Sequence, residues 1–255
     1  MLLPRTMSVF KTQRPSREAA YQPVKLLCVA GIATAMLFAP VELRAQSSGS
    51  METGSLITNR SAGGMGRTAS EARVISRQFA LCSVRRGRNT VENYLAAPIG
   101  SAEHNRLQKR VLVDDCLGAG ELTLPLEVIR GALFEQLYLV DYSSEPVPDL
   151  STLSPIDYTA GYSAPVSGPA INSIALAQFG DCVARADIGN ARALLASLPE
   201  SSAEGEAVRG SMGHLGACVP TGQKVSFSRS VLRSAVAEGL YRLTRAASGT
   251  PWGAK

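Results

Sequence analysis

Apolar residues recur at helical spacing in several segments of this chain. Ile75, Phe79 and Cys82 stand at positions i, i+4 and i+7, which places them on one face of a helix. Residues 126–138 carry a longer stripe at the same period. This stripe consists of Ile129, Ala132, Leu133 and Leu137. The pattern predicts α-helices that each bury one face.

The same pattern returns about one hundred residues later. Cys182 follows Cys82 at an offset of 100, and residues 231–241 match residues 128–138 at an offset of 103. An offset that grows slowly along the chain is typical of a duplicated unit with small insertions in its loops. The repeat therefore indicates a tandem duplication.

Each copy carries a proline and then a serine that precedes an acidic residue. Pro98 and Pro199 each end a short predicted helix. Ser101 with Glu103, and Ser202 with Glu204, then look like helix N-caps with an acid in the first turn.

These features predict an all-α fold. We expect a unit of three to four helices, present twice, each copy closed by one disulfide, with the copies packed as a pseudo-two-fold helical domain pair. The predicted segments are a signal peptide at 1–45, a flexible Ser/Gly-rich spacer at 46–67, helical repeat 1 at 68–140, a Pro/Tyr-rich connector at 141–170, helical repeat 2 at 171–245 and a loose tail at 246–255.

The first 45 residues have the form of a secretory signal peptide. A basic segment ends at Lys25, a 14-residue largely apolar run extends from Leu26 to Ala39, and Leu43-Arg44-Ala45 offers a cleavage site before Gln46. The run is shorter than the roughly 20 residues of a spanning helix, although an uncleaved anchor stays an alternative. Translation from Met7 is a second alternative.

The positive charge of the chain belongs to this leader. The whole chain has a formal net charge of +5, but the leader holds six basic and two acidic residues, which leaves 20 basic and 19 acidic residues elsewhere. A nearly neutral body does not indicate a nucleic-acid partner.

Four cysteines remain once Cys28 is assigned to the leader, and each copy holds two. An even number in an exported chain indicates disulfides. Three pairings are open, and the duplication favours the one in which each copy closes its own loop. That pairing joins Cys82 to Cys116 and Cys182 to Cys218.

The sequence assigns no residue to catalysis, to a metal or to a cofactor. The sequence has no Cys-x-x-Cys, and His104 and His214 do not stand at equivalent places in the copies, so zinc is the weaker explanation of the cysteines. Gly210-Ser211-Met212-Gly213 has the wrong spacing for a nucleophile elbow. The glycines at 63–66 lack the lysine of a phosphate loop.

Two sets of polar residues are candidate sites. The first copy carries a basic patch that could hold an anionic ligand, although a solvated helix face is the favoured explanation. No aromatic residues interleave with it, as single-strand binding would require. The patch consists of Arg85, Arg86, Arg88, Arg106, Lys109 and Arg110.

The second set is an arginine and a glutamate that recur in both copies. These are Arg130 with Glu135 and Arg233 with Glu238. Five residues along a helix correspond to about 140° of rotation, so the two members of a set do not pair along one face. We expect each to bond a neighbouring helix or a helix end in a structural role.

The sequence thus indicates an exported protein of the periplasm or cell envelope, or a secreted one, that acts as a non-catalytic binding or scaffold module. Its partner is an unknown envelope protein or ligand, with membrane contact only if the leader is retained. The alternatives are a hydrolase-like envelope enzyme with dispersed active-site residues and a holdase-like envelope chaperone. No cofactor is expected.

Overall fold

In the computed structural model, every described residue lies within one compact unit, Gly49–Lys255. The predicted signal peptide therefore falls outside the described residues, as do most of the predicted spacer and four of the ten residues of the predicted tail. The structure describes residues 56–58, 69–112, 114–117, 121–163, 165–221, 225–250 and 252.

The described part is all-α in class, as the periodicity predicted. Its seven α-helices are α1 Ala69–Ala96, α2 Ala102–Val111, α3 Leu126–Tyr142, α4 Pro169–Ala186, α5 Ile188–Ala196, α6 Ser202–Leu215 and α7 Arg229–Ala247.

One short ladder accompanies the helices. Strand β1, Leu56–Thr58, lies within the predicted spacer and pairs antiparallel with strand β2, Glu121–Thr123. These three residues of the spacer are thus in a strand, which corrects the prediction of a flexible segment there. The β-branched Ile57 and Thr58 suit a pleated strand.

Two long helical regions break at positions one hundred residues apart. Gly87 leaves the helical conformation inside α1, at φ −157° and ψ 58°. Asp187 separates α4 from α5 with similar angles, φ −151° and ψ 74°, and its side chain caps α5 by accepting from Asn190 N. Each region is therefore two helical segments that meet at an angle.

Helices α2 and α6 are capped by serines that lie one hundred residues apart. Ser101 accepts from the backbone N–H of His104, and Ser201 accepts from that of Glu204. The N-cap predicted at Ser202 is thus wrong by one residue. Glu200 occupies the left-handed region at φ 65°, and this turn places Ser201 rather than its neighbour at the cap.

Helix α7 forms the centre of the fold, because it packs against both α3 and α4. Leu137 on α3 and Leu240 on α7 are fully buried, in line with the predicted stripes. Backbones come close at glycines: a Cβ added to Gly239 would lie 2.4 Å from Asp181 N on α4, and one added to Gly131 would lie 2.1 Å from Ser234 Cβ on α7. Larger residues at these positions would force the helices apart.

Two disulfides tie the outer segments to this core. Cys82 is joined to Cys116 and Cys182 to Cys218, which is the pairing that the duplication favoured. The loops that they close span 34 and 36 residues.

The connector is shorter than predicted and is anchored to the body. Its first two predicted residues, Asp141 and Tyr142, belong to α3, and Pro169 begins α4. Leu150 and Tyr158 are buried, at 1% and 6% exposure, so the irregular backbone between the helices is held against the core. Among the described residues, no helix is long and apolar enough to cross a membrane.

Candidate functional site

The recurring arginines and glutamates meet across the interface of α3 and α7. Arg130 on α3 donates from Nη2 to Glu238 Oε1 on α7 at 3.2 Å. Arg233 on α7 donates from Nε and Nη2 to the two carboxylate oxygens of Glu135 on α3, at 2.7 and 3.0 Å. All four side chains are buried. Helices α3 and α7 are therefore antiparallel at this contact, and each supplies the arginine of one ion pair and the glutamate of the other.

The Arg233 centre, which we define as Arg73, Arg77, Glu135, Glu204 and Arg233, is saturated with polar partners. Arg77 Nε lies 3.0 Å from Glu135 Oε1, and Arg73 pairs with Glu204 and with Glu200. Arg233 Nη1 donates to Glu204 Oε1 at 3.1 Å. Its Nη2 also donates to the carbonyls of Leu195 and Ser197. Every nitrogen of the Arg233 guanidinium thus has an acceptor.

Electrostatics in this centre favour the charged forms. Burial by itself would raise the pKa of Glu204, but the Glu200 amide and the guanidiniums of Arg73 and Arg233 together outweigh burial and lower that pKa. Burial would likewise lower the pKa of Arg233, and Glu135 and Glu204 outweigh it, so that pKa is raised. The centre is a buried, hydrogen-bonded ion network that links α1, α3, α6 and α7.

The Arg130 centre, which we define as Arg130, Glu238 and Arg242, has fewer partners. Besides Glu238, Arg130 bonds only the Leu95 carbonyl, at 3.2 Å, and its Nε and Nη1 have no hydrogen-bond partner among the described residues. Arg242 donates to Glu238 Oε1 at 2.6 Å. Its guanidinium also lies over the ring of Tyr158, 4.9 Å from the centroid. Two arginines therefore share one glutamate.

His104 and Tyr94 are buried near Arg130 and stack with ring centroids 4.9 Å apart. His104 is 2% exposed and Tyr94 is fully buried, and neither the imidazole nitrogens nor the phenol oxygen make a hydrogen bond that the structure describes. Burial, assisted by the charge of Arg130 and only partly offset by Asn105, lowers the pKa of His104. The imidazole is therefore neutral at neutral pH.

A small pocket adjoins each centre. Arg130, Glu238 and Arg242 line a pocket of about 40 Å³, and Arg233 and Glu135 line one of about 20 Å³. One water-sized group needs roughly 10–15 Å³ on this measure. Both pockets are therefore large enough for a water molecule or one small functional group, and too small for a whole metabolite.

The basic patch of the first copy is partly neutralised by local acids. Arg86 pairs with Asp115 at 2.6 Å, Arg88 bonds Asp141 at 2.7 Å, and Arg106 bonds Glu103. The remaining members of the patch, Arg85, Lys109 and Arg110, are exposed. The structure thus places three arginines of the patch in ion pairs and exposes every member of the patch except the half-buried Arg88.

Sequence reasoning assigned no role to several members of the two centres. Arg73, Arg77 and Arg242 have no arginine at the equivalent positions of the other copy, so the repeat did not select them. Their i, i+4 spacings, Arg73 with Arg77 and Glu238 with Arg242, are the signals that point to them. Among the described residues, no group of three or more metal-ligating side chains could hold an ion.

Comparison of the chain with family models, with curated proteins and with solved structures gives no match.

Proposed function

We propose that this chain is an exported, non-catalytic binding or scaffold protein built from two disulfide-closed helical repeats with pseudo-two-fold symmetry. The observation that carries the proposal is the reciprocal exchange of Arg130 with Glu238 and of Arg233 with Glu135. In a two-fold interface, residue i contacts j and the equivalent of j contacts the equivalent of i. The exchange has this form, because Arg130 and Arg233, and Glu135 and Glu238, are sequence equivalents.

Three further correspondences support the duplication. Gly131 lies directly against Ser234, its sequence equivalent, as expected for residues on a two-fold axis. The breaks at Gly87 and Asp187 are 100 residues apart. Gly100 and Glu200 both have positive φ, 83° and 65°, at the turns that precede α2 and α6. The first repeat then comprises α1, divided at Gly87, with α2 and α3, and the second comprises α4 to α7.

The pairing of the buried charges supports a scaffold role. A buried charge is costly unless it is paired, and removal of one partner typically destabilises a protein by about 3–5 kcal/mol. Here the buried arginines and glutamates pair between the repeats, so they fix the alignment of one repeat on the other. A rigid pair of repeats presents its outer surfaces in one geometry, which suits a binding module.

The proposed location outside the cytoplasm is supported by the leader and by the two disulfides. Disulfides persist in oxidising compartments and are rare in the cytosol. The test is to express the full chain with a C-terminal tag, fractionate the cells and measure the intact mass. We expect a chain that begins near Gln46 and carries no free thiol. Full-length chain in the cytosol with reduced cysteines would contradict the proposal.

Binding is tested by capture from envelope extract with two forms of the bait. One bait is the oxidised exported protein, and the control is the same protein reduced and alkylated, whose loops are open. We expect an envelope protein or ligand that is retained by the oxidised bait and lost from the control. Equal recovery on both baits would indicate non-specific or holdase-like binding and would overturn the scaffold proposal.

A further inference from the structure

We propose that the Arg130 centre binds a carboxylate group of a small monocarboxylate or of a peptide C-terminus. The inference deepens the binding function proposed above and names a ligand class for one pocket. It rests on a comparison of the two centres, because Arg130 has fewer hydrogen-bond acceptors than Arg233.

The two buried arginines differ in hydrogen-bond satisfaction. Arg233 uses Nε, Nη1 and Nη2, with acceptors from Glu135, Glu204 and the α5 terminus. Arg130 is 4% exposed, lines the larger pocket, and leaves Nε and Nη1 without an acceptor. An unpaired buried donor costs about 1–3 kcal/mol, and more on a charged group. A carboxylate in this pocket would add a second negative charge beside the Arg130 guanidinium.

The missing acceptor has a specific cause. The serine caps place His104 one hundred residues before Glu204, each three residues after its cap. Glu204 supplies a carboxylate to Arg233, whereas the neutral imidazole of His104 supplies no negative charge near Arg130. The Arg233 guanidinium therefore bonds two carboxylates, those of Glu135 and Glu204, whereas the Arg130 guanidinium bonds only that of Glu238.

Charge and size then select the ligand. Arg130 and Arg242 carry two positive charges against the single negative charge of Glu238, and the neighbouring Asp181 and Arg185 form an ion pair with each other. The uncompensated charge is one, so a monovalent anion neutralises it. The pocket, of about 40 Å³, is large enough for a carboxylate group but too small for the rest of a larger ligand. Planar carboxylates are also the preferred partners of the guanidinium fork.

The pocket has a further donor and a route to solvent. Ser173, on α4, is 7% exposed and lines the pocket, so its hydroxyl is available beside the guanidiniums. Ala96 and Ala160 also line it and are exposed. A carboxylate can therefore enter at this edge while the rest of its molecule stays outside.

Trp252 reports binding, because it is the only tryptophan and lies against Arg242, 5.7 Å from the guanidinium carbon to the ring centroid. The oxidised protein is titrated with sodium acetate at constant ionic strength, with sodium sulfate as the balancing salt. We expect a saturable change in fluorescence. Absence of a saturable change, together with no shift of the melting temperature, would overturn the proposal.

Two peptide arms distinguish the sources of the carboxylate. One short peptide carries a free C-terminus, and the other has the same sequence with a C-terminal amide. Tighter binding of the free peptide than of acetate, with no binding of the amide, assigns the pocket to peptide ends. Binding of acetate alone assigns it to small monocarboxylates. Equal binding of both peptides would show that the carboxylate is not recognised and would overturn the inference.

Variants locate the site. Arg242→Gln and Arg130→Gln should each weaken acetate binding at least tenfold, while Arg77→Gln, in the smaller pocket, should change it less than twofold. His104→Glu places a tethered carboxylate at the position equivalent to Glu204, and should abolish acetate binding in a protein that still folds. That variant keeps the test decisive if Arg130→Gln does not fold.

Equal loss in Arg77→Gln, or full binding in His104→Glu, would overturn the assignment. Loss of acetate binding leaves the export and capture experiments unaffected, so this inference and the proposed function can fail separately.

Discussion

Gly239 tests whether α4 and α7 meet backbone to backbone. Replacement by alanine normally stabilises a helix by about 1 kcal/mol, because glycine has the poorer helix propensity. At Gly239 the added Cβ would lie 2.4 Å from Asp181 N and from Gly180 C. Ordinary contact begins at 3.4 Å, so the two helices must separate by about 1 Å.

The expected magnitude follows from two opposing effects. Overpacking of a filled core costs about 1–3 kcal/mol. The upper end applies here because the obstructing atoms belong to the backbone and cannot rotate away. After the propensity gain of about 1 kcal/mol, Gly239→Ala should lower the free energy of unfolding by about 2 kcal/mol.

The matched control is Gly213→Ala. Gly213 lies in α6, is exposed, and has no atom within 4 Å of an added Cβ. This variant should be more stable than the wild type by about 0.5–1 kcal/mol. Urea denaturation of the oxidised proteins, followed by far-UV circular dichroism, measures both values, and the m-value should not change. If the two variants differed by less than about 0.5 kcal/mol, typical of surface sites, the close approach of α4 and α7 would be refuted.

Three other perturbations address the disulfides, the Arg233 centre and the buried histidine. Replacing Cys82 and Cys116 together by alanine should lower the free energy of unfolding by roughly 3–4 kcal/mol, as the loop-entropy model predicts. Urea denaturation measures this change, and an unchanged midpoint would contradict the prediction. Arg233→Met should cost about 3–5 kcal/mol, because it leaves two buried carboxylates short of a partner, whereas the exposed Arg110→Met should stay within about 0.5 kcal/mol. Because the folded pKa of His104 lies below its usual 6.5, the unfolded chain takes up the proton first, and stability should fall as the pH drops below 6.5. His104→Gln should make the urea midpoint less dependent on pH in that range, and an identical slope would show that His104 is not the group responsible.

The helices follow from local sequence, and the cysteine pairing follows from the pattern of residue types that recurs about one hundred residues later. A helical stripe such as that ending at Leu137 depends only on spacing within one segment, and the cysteine pairing only on the duplication. Contacts between distant segments cannot be predicted in this way. The 140° between Arg130 and Glu135 correctly excludes a pair within one helix, but which glutamate each arginine meets depends on the antiparallel packing of α3 and α7.

The correspondence of His104 with Glu204 was hidden for a different reason. Ser201 and Ser202 are adjacent, and either can serve as a cap by composition alone. The turn at Glu200, whose φ is 65°, decides between them, and backbone conformation at a non-glycine residue leaves no clear mark in the sequence. A shift of one residue in this alignment moves the match of Glu204 from Glu103 to His104. The asymmetry of the two centres therefore emerges only with the fold.

The placement of the disulfides has a consequence for chain connectivity. Both bridges that the structure describes close loops on their own side of the connector, whose Ser151 and Thr152 are exposed. A protease that cuts there would leave two separate polypeptides, held together by packing and by non-covalent bonds such as the ion pairs of α3 with α7 and of Arg73 with Glu204. A cut between Cys82 and Cys116 would instead leave its fragments covalently tethered. The molecule is therefore suited to fragment complementation. Two co-expressed halves, each with its own disulfide, would only have to associate to form both centres.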